Sequence, residues 1–178
     1  GLAADRAGAL RESETRALCA VRAVITTSAA TAATLRADYA VPAARLHTIE
    51  PGVDRSMGLP QETPAPAASG VGSPLQLLCV GTLIPRKGHE LLLRALAAQR
   101  FRHWHLHCIG SLERDRDEAR RLLALRDALG LAAQVSFHGE VPEPRLQQAM
   151  QSADLFVIAA WYEGYGMAVA EALGFGLP

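Results

Sequence analysis

The sequence is short of cysteine and aromatic residues, has no surplus of charge of either sign and contains no long apolar run, and each shortage closes off a class of function. Its three cysteines, Cys19, Cys79 and Cys108, stand at no metal-binding spacing and leave one over. The expectation is no zinc site, no disulfide framework and a reducing, cytoplasmic compartment. Eighteen Lys plus Arg balance eighteen Asp plus Glu, and aromatics make up 5%. A nucleic-acid partner, which needs excess cations against phosphates and rings for stacking, is not expected. No segment approaches the 18 or so apolar residues of a membrane span, and GLAADRAGALRESETRALCA has no signal-peptide core. The expectation is a soluble protein or a peripheral one.

What remains is an ordinary globular composition, 49% hydrophobic and 20% charged over 178 residues, enough for one domain or one with part of a second. Residues 5–20 read as a helix, 21–27 as a strand, Ser28 as the cap of a helix running to about Tyr39, and 45–49 as another strand. Residues 51–74, rich in Pro, Gly, Ser and Ala without apolar period, read as a linker. Beyond it the pattern is regular. Strands at 75–80, 103–109, 134–138 and 154–160 alternate with helices at 89–99, about 114–129 and one that Pro144 could start. Such alternation predicts an α/β fold: a Rossmann-like, doubly wound parallel sheet with both faces covered. Gly174 to Pro178 read as a helix stop before a further strand, so the sheet is expected to be truncated.

Ligands of doubly wound sheets lie outside the carboxyl ends of the strands, and the unusual residues of this sequence fall there. The loops are GTLIPRKG (81–88), GSLERD (110–115), GEVPEP (139–144) and WYEGYG (161–166). Arg86 and Lys87, placed before Gly88 and a helix, present two cations and free backbone N–H groups to one anion, and a diphosphate fits that chemistry. Glu163 and Glu171 lie eight residues apart. Glu171 falls about five residues into a helix beginning near Gly166, roughly 7.5 Å along its axis, so the two carboxylates can reach different parts of one extended ligand. Carboxylates suit paired hydroxyls, which donate to them. His103, His105 and His107 alternate along one strand without an evident fourth ligand and read as packing residues, not metal ligands. Trp161 and Tyr162 read as packing or pocket-shaping, and residues 114–127 as a solvated, ion-paired helix face.

These residues resemble a known family. VGTLIPRKGHELLLRAL resembles the phosphate loop of the retaining glycosyltransferases of family 4, which share the two-domain GT-B fold, and EGYGMAVAEALGFGLP resembles their E-x7-E signature with the following G-x-P. FHGEV, SADLFVIAAWYEGYG and IEPGVD are similar too. The resemblance implies a partial GT-B fold, with residues 1–50 the end of the acceptor-side N-terminal domain and 75–178 an incomplete donor-binding domain. It implies transfer of a sugar from a nucleotide-diphosphate sugar, with retention of anomeric configuration, to a carbohydrate or lipid-linked acceptor, the latter entailing peripheral membrane contact. Arg86 and Lys87 would hold the diphosphate as leaving group, Glu163 would contact the donor sugar and Glu171 the ribose hydroxyls. Gly81 and Thr82 would belong to the phosphate loop, Gly164, Tyr165, Gly166 and Met167 would line sugar and phosphate, and Gly139, Glu140 and Val141 would border the base. Thr82 stands where many relatives carry Arg. No metal or cofactor is implied. A non-catalytic nucleotide-binding module is the alternative; a dinucleotide oxidoreductase is disfavoured, because no G-x-G-x-x-G follows the strand at 75–80.

Overall fold

The computed structural model describes residues 4–52, 73–99 and 103–178. The chain divides into two compact units, Gly1–Gly52 and Val53–Pro178. The linker expected at 51–74 lies, except at its ends, outside the described residues.

In the first unit, α1 (Ala4–Ala20) precedes β1 (Val24–Thr26), α2 (Ala29–Tyr39) and β2 (Leu46–Thr48). The strands are parallel, with Val24 opposite Leu46 and Thr26 opposite Thr48. Ser28 caps α2 as its sequence position predicts, accepting from the Thr31 N–H at 3.1 Å. Arg45 closes the end of α1. Its guanidinium donates to the carbonyls of Leu18 and Val21, at 2.5 and 2.6 Å, occupying acceptors that a helix end leaves free.

The second unit is a four-stranded, all-parallel sheet in the order β5-β4-β3-β6. Its elements are β3 (Leu75–Val80), α3 (His89–Ala97), β4 (Trp104–Ile109), α4 (Arg116–Ala128), β5 (Val135–Phe137), α5 (Glu143–Ser152), β6 (Leu155–Phe156) and α6 (Met167–Gly174). Leu77, Leu78 and Cys79 are consecutive and all buried, because helices cover both faces of β3. Leu77, Cys79, Leu106 and Cys108 pack with Leu92, Leu93 and Leu122 of α3 and α4. On the opposite face Leu78 and Ile109 pack with Met150 of α5 and Ala172 of α6. The charged helix is ion-paired as expected, with Arg116 bonded to Glu113 and Arg120 to Asp117. It does more than face solvent, since Arg121 joins the buried Glu118 to Glu90 of α3.

Two elements depart from the sequence reading. Pro142, not Pro144, stands at the start of α5, and Pro144 fits inside its first turn, where a missing N–H is harmless. The strand expected at 154–160 is regular only at Leu155–Phe156. Beyond Val157, whose N–H still donates to Leu78 O, the chain leaves β3 and runs to the loop after it. On the other edge of β6 the Phe156 N–H donates to Pro178 O at 2.7 Å. Among the described residues no helix is long and apolar enough to cross a membrane.

Candidate functional site

The strand order reverses at β3: β4 and β5 follow it on one side, and the chain then crosses to place β6 on the other. Where strand order reverses, the loops leaving neighbouring strands diverge and open a crevice at their carboxyl ends. Here the flanking loops are 81–88, after β3, and 157–166, after β6. Residues more than 70 positions apart thereby become neighbours.

The two segments are fastened along their length. Gly88 adopts φ +68°, and a Cβ built on it would lie 1.9 Å from Ala159 O, so only glycine lets the loop approach this closely. Next, the Trp161 N–H donates to Arg86 O at 2.9 Å. The Arg86 guanidinium donates to Tyr162 O, and Lys87 Nζ donates to Glu163 Oε1, both at 2.5 Å. Arg86 is further from Glu163, at 4.0 Å, and its side chain is 45% exposed against 18% for Lys87. Lys87 is the enclosed cation and Arg86 the peripheral one. An ammonium carries three N–H donors, so the bond to Glu163 leaves capacity for the oxygens of an anion.

Below this seam lies a cavity of about 390 Å³, in the size range of small-molecule sites. Lys87, Glu163 and Glu171 all line it, together with Gly81, Thr82, Tyr165, Gly166 and Met167. The sequence-derived candidates Gly81, Thr82, Lys87, Glu163, Tyr165, Gly166, Met167 and Glu171 are therefore brought together. Val80, Ile158 and Ala168, which motif reading did not single out, supply apolar wall; their signal was position, at strand ends and in the first turn of α6. Glu171 projects from the second turn of α6, and its carboxyl is held above the ordinary value, first by burial and then by the charge of Glu143.

Gly139, Glu140 and Val141 do not line this cavity. They lie two strands away along the same rim: Gly110 N–H donates to Gly139 O at 2.9 Å, and Gly110 itself abuts Gly81, where an added Cβ would come within 2.1 Å of Gly81 O. Val141 instead faces a second cavity of about 440 Å³, lined also by Gln76, His107, His138 and Arg145. There His107 lies between His138, 2.9 Å away, and Gln76 Oε1, 3.1 Å away. Burial, then the neighbouring His138 and His105, hold His107 below the usual imidazole value. His105 donates to Ala133 O. Trp161 and Tyr162 lie outside the core, at 75% and 52% exposure.

The two buried cysteines meet across the sheet. Parallel pairing sets Cys79 directly opposite Cys108, and both side chains point into the α3 face, where His89 Nε2 comes within 3.8 Å of Cys79 Sγ. Sequence spacing could not reveal this, because the pair is made by register between two strands and not by proximity in the chain.

Comparison with known proteins agrees with the fold and with the motifs. Residues 65–178 match the family description "Glycosyl transferases group 1". Mannosylfructose-phosphate synthase of Agrobacterium fabrum is 31% identical over 150 residues, covering 79% of this chain and 33% of that protein. D-inositol 3-phosphate glycosyltransferase of Acidothermus cellulolyticus is 29% identical over the same coverage. The chain thus spans about a third of the length of these curated relatives. Among solved structures, sucrose-phosphate synthase from Thermosynechococcus elongatus superposes with a TM-score of 0.80 at 27% identity, over 99% of this chain and 45% of that one. HepE of Anabaena, crystallised with UDP and glucose, gives 0.75 at 23% identity, over 89% and 43%. These neighbours are GT-B glycosyltransferases, and the chain belongs to the glycosyl transferases group 1 family.

Proposed function

We propose that this chain carries the donor-binding part of a retaining glycosyltransferase of family 4, which moves a sugar from a nucleotide-diphosphate sugar to an acceptor. The observation that carries the reading is the shared cleft: Lys87, Glu163 and Glu171 converge on one cavity at the crossover point of the sheet. Lys87, with Arg86 at the edge, meets the diphosphate and stabilises the charge that develops on it as the glycosidic bond breaks. The loop's own cations supply that charge, so the reading calls for no metal. Glu163, already bonded to Lys87, contacts the donor sugar and holds the ammonium over the cleft. Glu171 accepts from the ribose hydroxyls. Gly139 to Val141, on the same rim two strands away, border the base. The relatives' mannosylfructose-phosphate and inositol-phosphate names support an acceptor that is a carbohydrate or polyol; a lipid-linked acceptor at the inner face of a membrane is the variant a cytoplasmic enzyme of this kind would also serve.

The test is calorimetry with UDP-, GDP- and ADP-sugars, followed by a transfer assay in the whole protein in which the anomeric proton coupling of the product reports retention. Binding of a sugar nucleotide without transfer by the whole protein would make this a binding module instead.

Glu171 gives a prediction with two signs. Its carboxyl titrates above the unfolded value, so the folded state binds the proton more tightly. Its contribution to stability is fully present below the unfolded pKa and is lost as pH rises through the raised one. Glu171→Gln removes that dependence: at neutral pH the variant melts at a higher temperature than the parent, and the advantage disappears in acid. Donor affinity moves the other way. Exchanging a charged acceptor for a neutral one weakens binding roughly tenfold at neutral pH, and parental affinity rises with pH across the titration of Glu171. Melting curves and calorimetry at several pH values check both, and a variant equal to the parent in affinity contradicts the role of Glu171.

A further inference from the structure

Behind the phosphate-facing loop, in the core between the sheet and α3, lie three side chains that the donor reading does not use. Cys79, His89 and Cys108 are 2%, 3% and 1% exposed, and their potential ligand atoms all lie within 4.8 Å of one another. A buried imidazole is ordinarily held by a carbonyl or carboxylate, yet among the described residues Nδ1 has no hydrogen-bond partner and Nε2 faces the Cys79 sulfur, at 3.8 Å. That separation suits a shared ion. With metal–sulfur and metal–nitrogen bonds of roughly 2.3 and 2.0–2.1 Å, a trigonal centre places S and N roughly 3.7–3.8 Å apart, and a tetrahedral one roughly 3.5–3.6 Å.

We propose that Cys79, His89 and Cys108 form a three-coordinate site for a soft monovalent ion, copper(I). Softness follows from the two thiols, and the charge +1 from the coordination number. Zinc in a structural site closes its shell with a fourth ligand, and among the described residues the cluster contains three. Copper(I) is satisfied by two sulfurs and one nitrogen. Loading is an exchange without electron transfer: two S–H bonds break, two Cu–S bonds and one Cu–N bond form, two protons leave to solvent and copper stays +1. The resulting single negative charge is placed favourably, since His89 is the first residue of α3 and Lys87 lies two residues before it. The site underlies the phosphate-facing loop: Cys79 precedes Val80-Gly81, and His89 follows Lys87-Gly88.

The test uses the whole chain with Cys19→Ser, which removes the exposed thiol, reduced and anaerobic, titrated with copper(I) delivered as its bathocuproine disulfonate complex. One equivalent is expected to transfer, and Cys79→Ser and Cys108→Ser are each expected to abolish the transfer. X-ray absorption of the loaded protein with all three ligands intact is expected to show two sulfurs and one nitrogen around copper, and this decides the matter even where a serine variant fails to fold. No transfer, undiminished transfer to a folded Cys79→Ser, Cys108→Ser double variant, or a copper shell without two sulfurs overturns the proposal. So does tighter binding of zinc than of copper(I) under the same conditions.

Discussion

Replacing Lys87 with alanine lowers the affinity for the nucleotide-sugar donor roughly 10- to 150-fold and leaves the fold almost untouched. The size follows from the bond that is lost. A hydrogen bond from a charged donor to a charged acceptor contributes about 1.5–3 kcal/mol, and each 1.4 kcal/mol is about tenfold in Kd. A second effect works in the same direction. Glu163 is bonded to Lys87 at 2.5 Å; without the ammonium its carboxylate faces the incoming diphosphate with nothing between them. The stability effect is small because neither member of the ion pair is fully buried, at 18% and 25% exposure, and pairs that keep contact with solvent contribute about 1 kcal/mol or less. Melting should shift by no more than a few degrees. Calorimetry and a thermal melt on the same preparation separate the two effects, and a Lys87→Ala variant with parental donor affinity contradicts the assignment. Arg86→Ala should be milder, since Arg86 lies at the rim and spends a donor on Tyr162 O.

Gly88→Ala has the largest expected effect on stability. A Cβ there lies 1.9 Å from Ala159 O and 2.7 Å from its carbonyl carbon, and both obstacles are backbone that cannot rotate away. The positive φ of 68° adds its own penalty for an L side chain. Left-handed strain of about 1–3 kcal/mol and overpacking of about 1–3 kcal/mol together give about 2–6 kcal/mol. The expected outcome is a melting temperature lower by about 4 °C or more, using about 2–4 °C per kcal/mol, together with lost donor binding as the loop is pushed off its neighbour. Gly81→Ala is the internal control. There an added Cβ meets only the flexible Lys87 side chain, at 3.5 Å, so stability should stay near the parent's. Equal melting temperatures for Gly88→Ala and the parent would show that the two segments are not in contact as described.

How much of this was legible beforehand differs from element to element, for physical reasons. β3 was readable because strands covered on both faces must be apolar almost continuously, as LQLLCV is, and β4 because apolar residues alternate with histidines along WHLHCI. α3 was readable because its apolar residues recur on one face, burying Leu92 and Leu93. The end of β6 was not. Val157 to Ala160 look like strand because they are apolar, yet they leave the sheet to meet Gly88 and Arg86, and only the fold decides that. In the site, Arg86, Lys87, Glu163 and Glu171 stood out by type and spacing. The Lys87–Glu163 bond did not, since it exists because β6 pairs with β3. Sequence likewise treated Arg86 and Lys87 as equals, whereas the loop geometry turns one inward and the other out. The Cys79–Cys108 contact was hidden for the same reason as the ion pair: register is a property of two strands, not of either.

The central claim is that one sugar nucleotide occupies the cleft between the loop after β3 and the segment after β6. A crystal structure of this chain with the tightest-binding sugar nucleotide tests it most directly. Phosphate oxygens are expected within hydrogen-bonding distance of Lys87 Nζ, and ribose hydroxyls against the Glu171 carboxylate. A nucleotide lodged instead in the cavity of His107, His138 and Arg145, with Lys87 and Glu171 untouched, would contradict it.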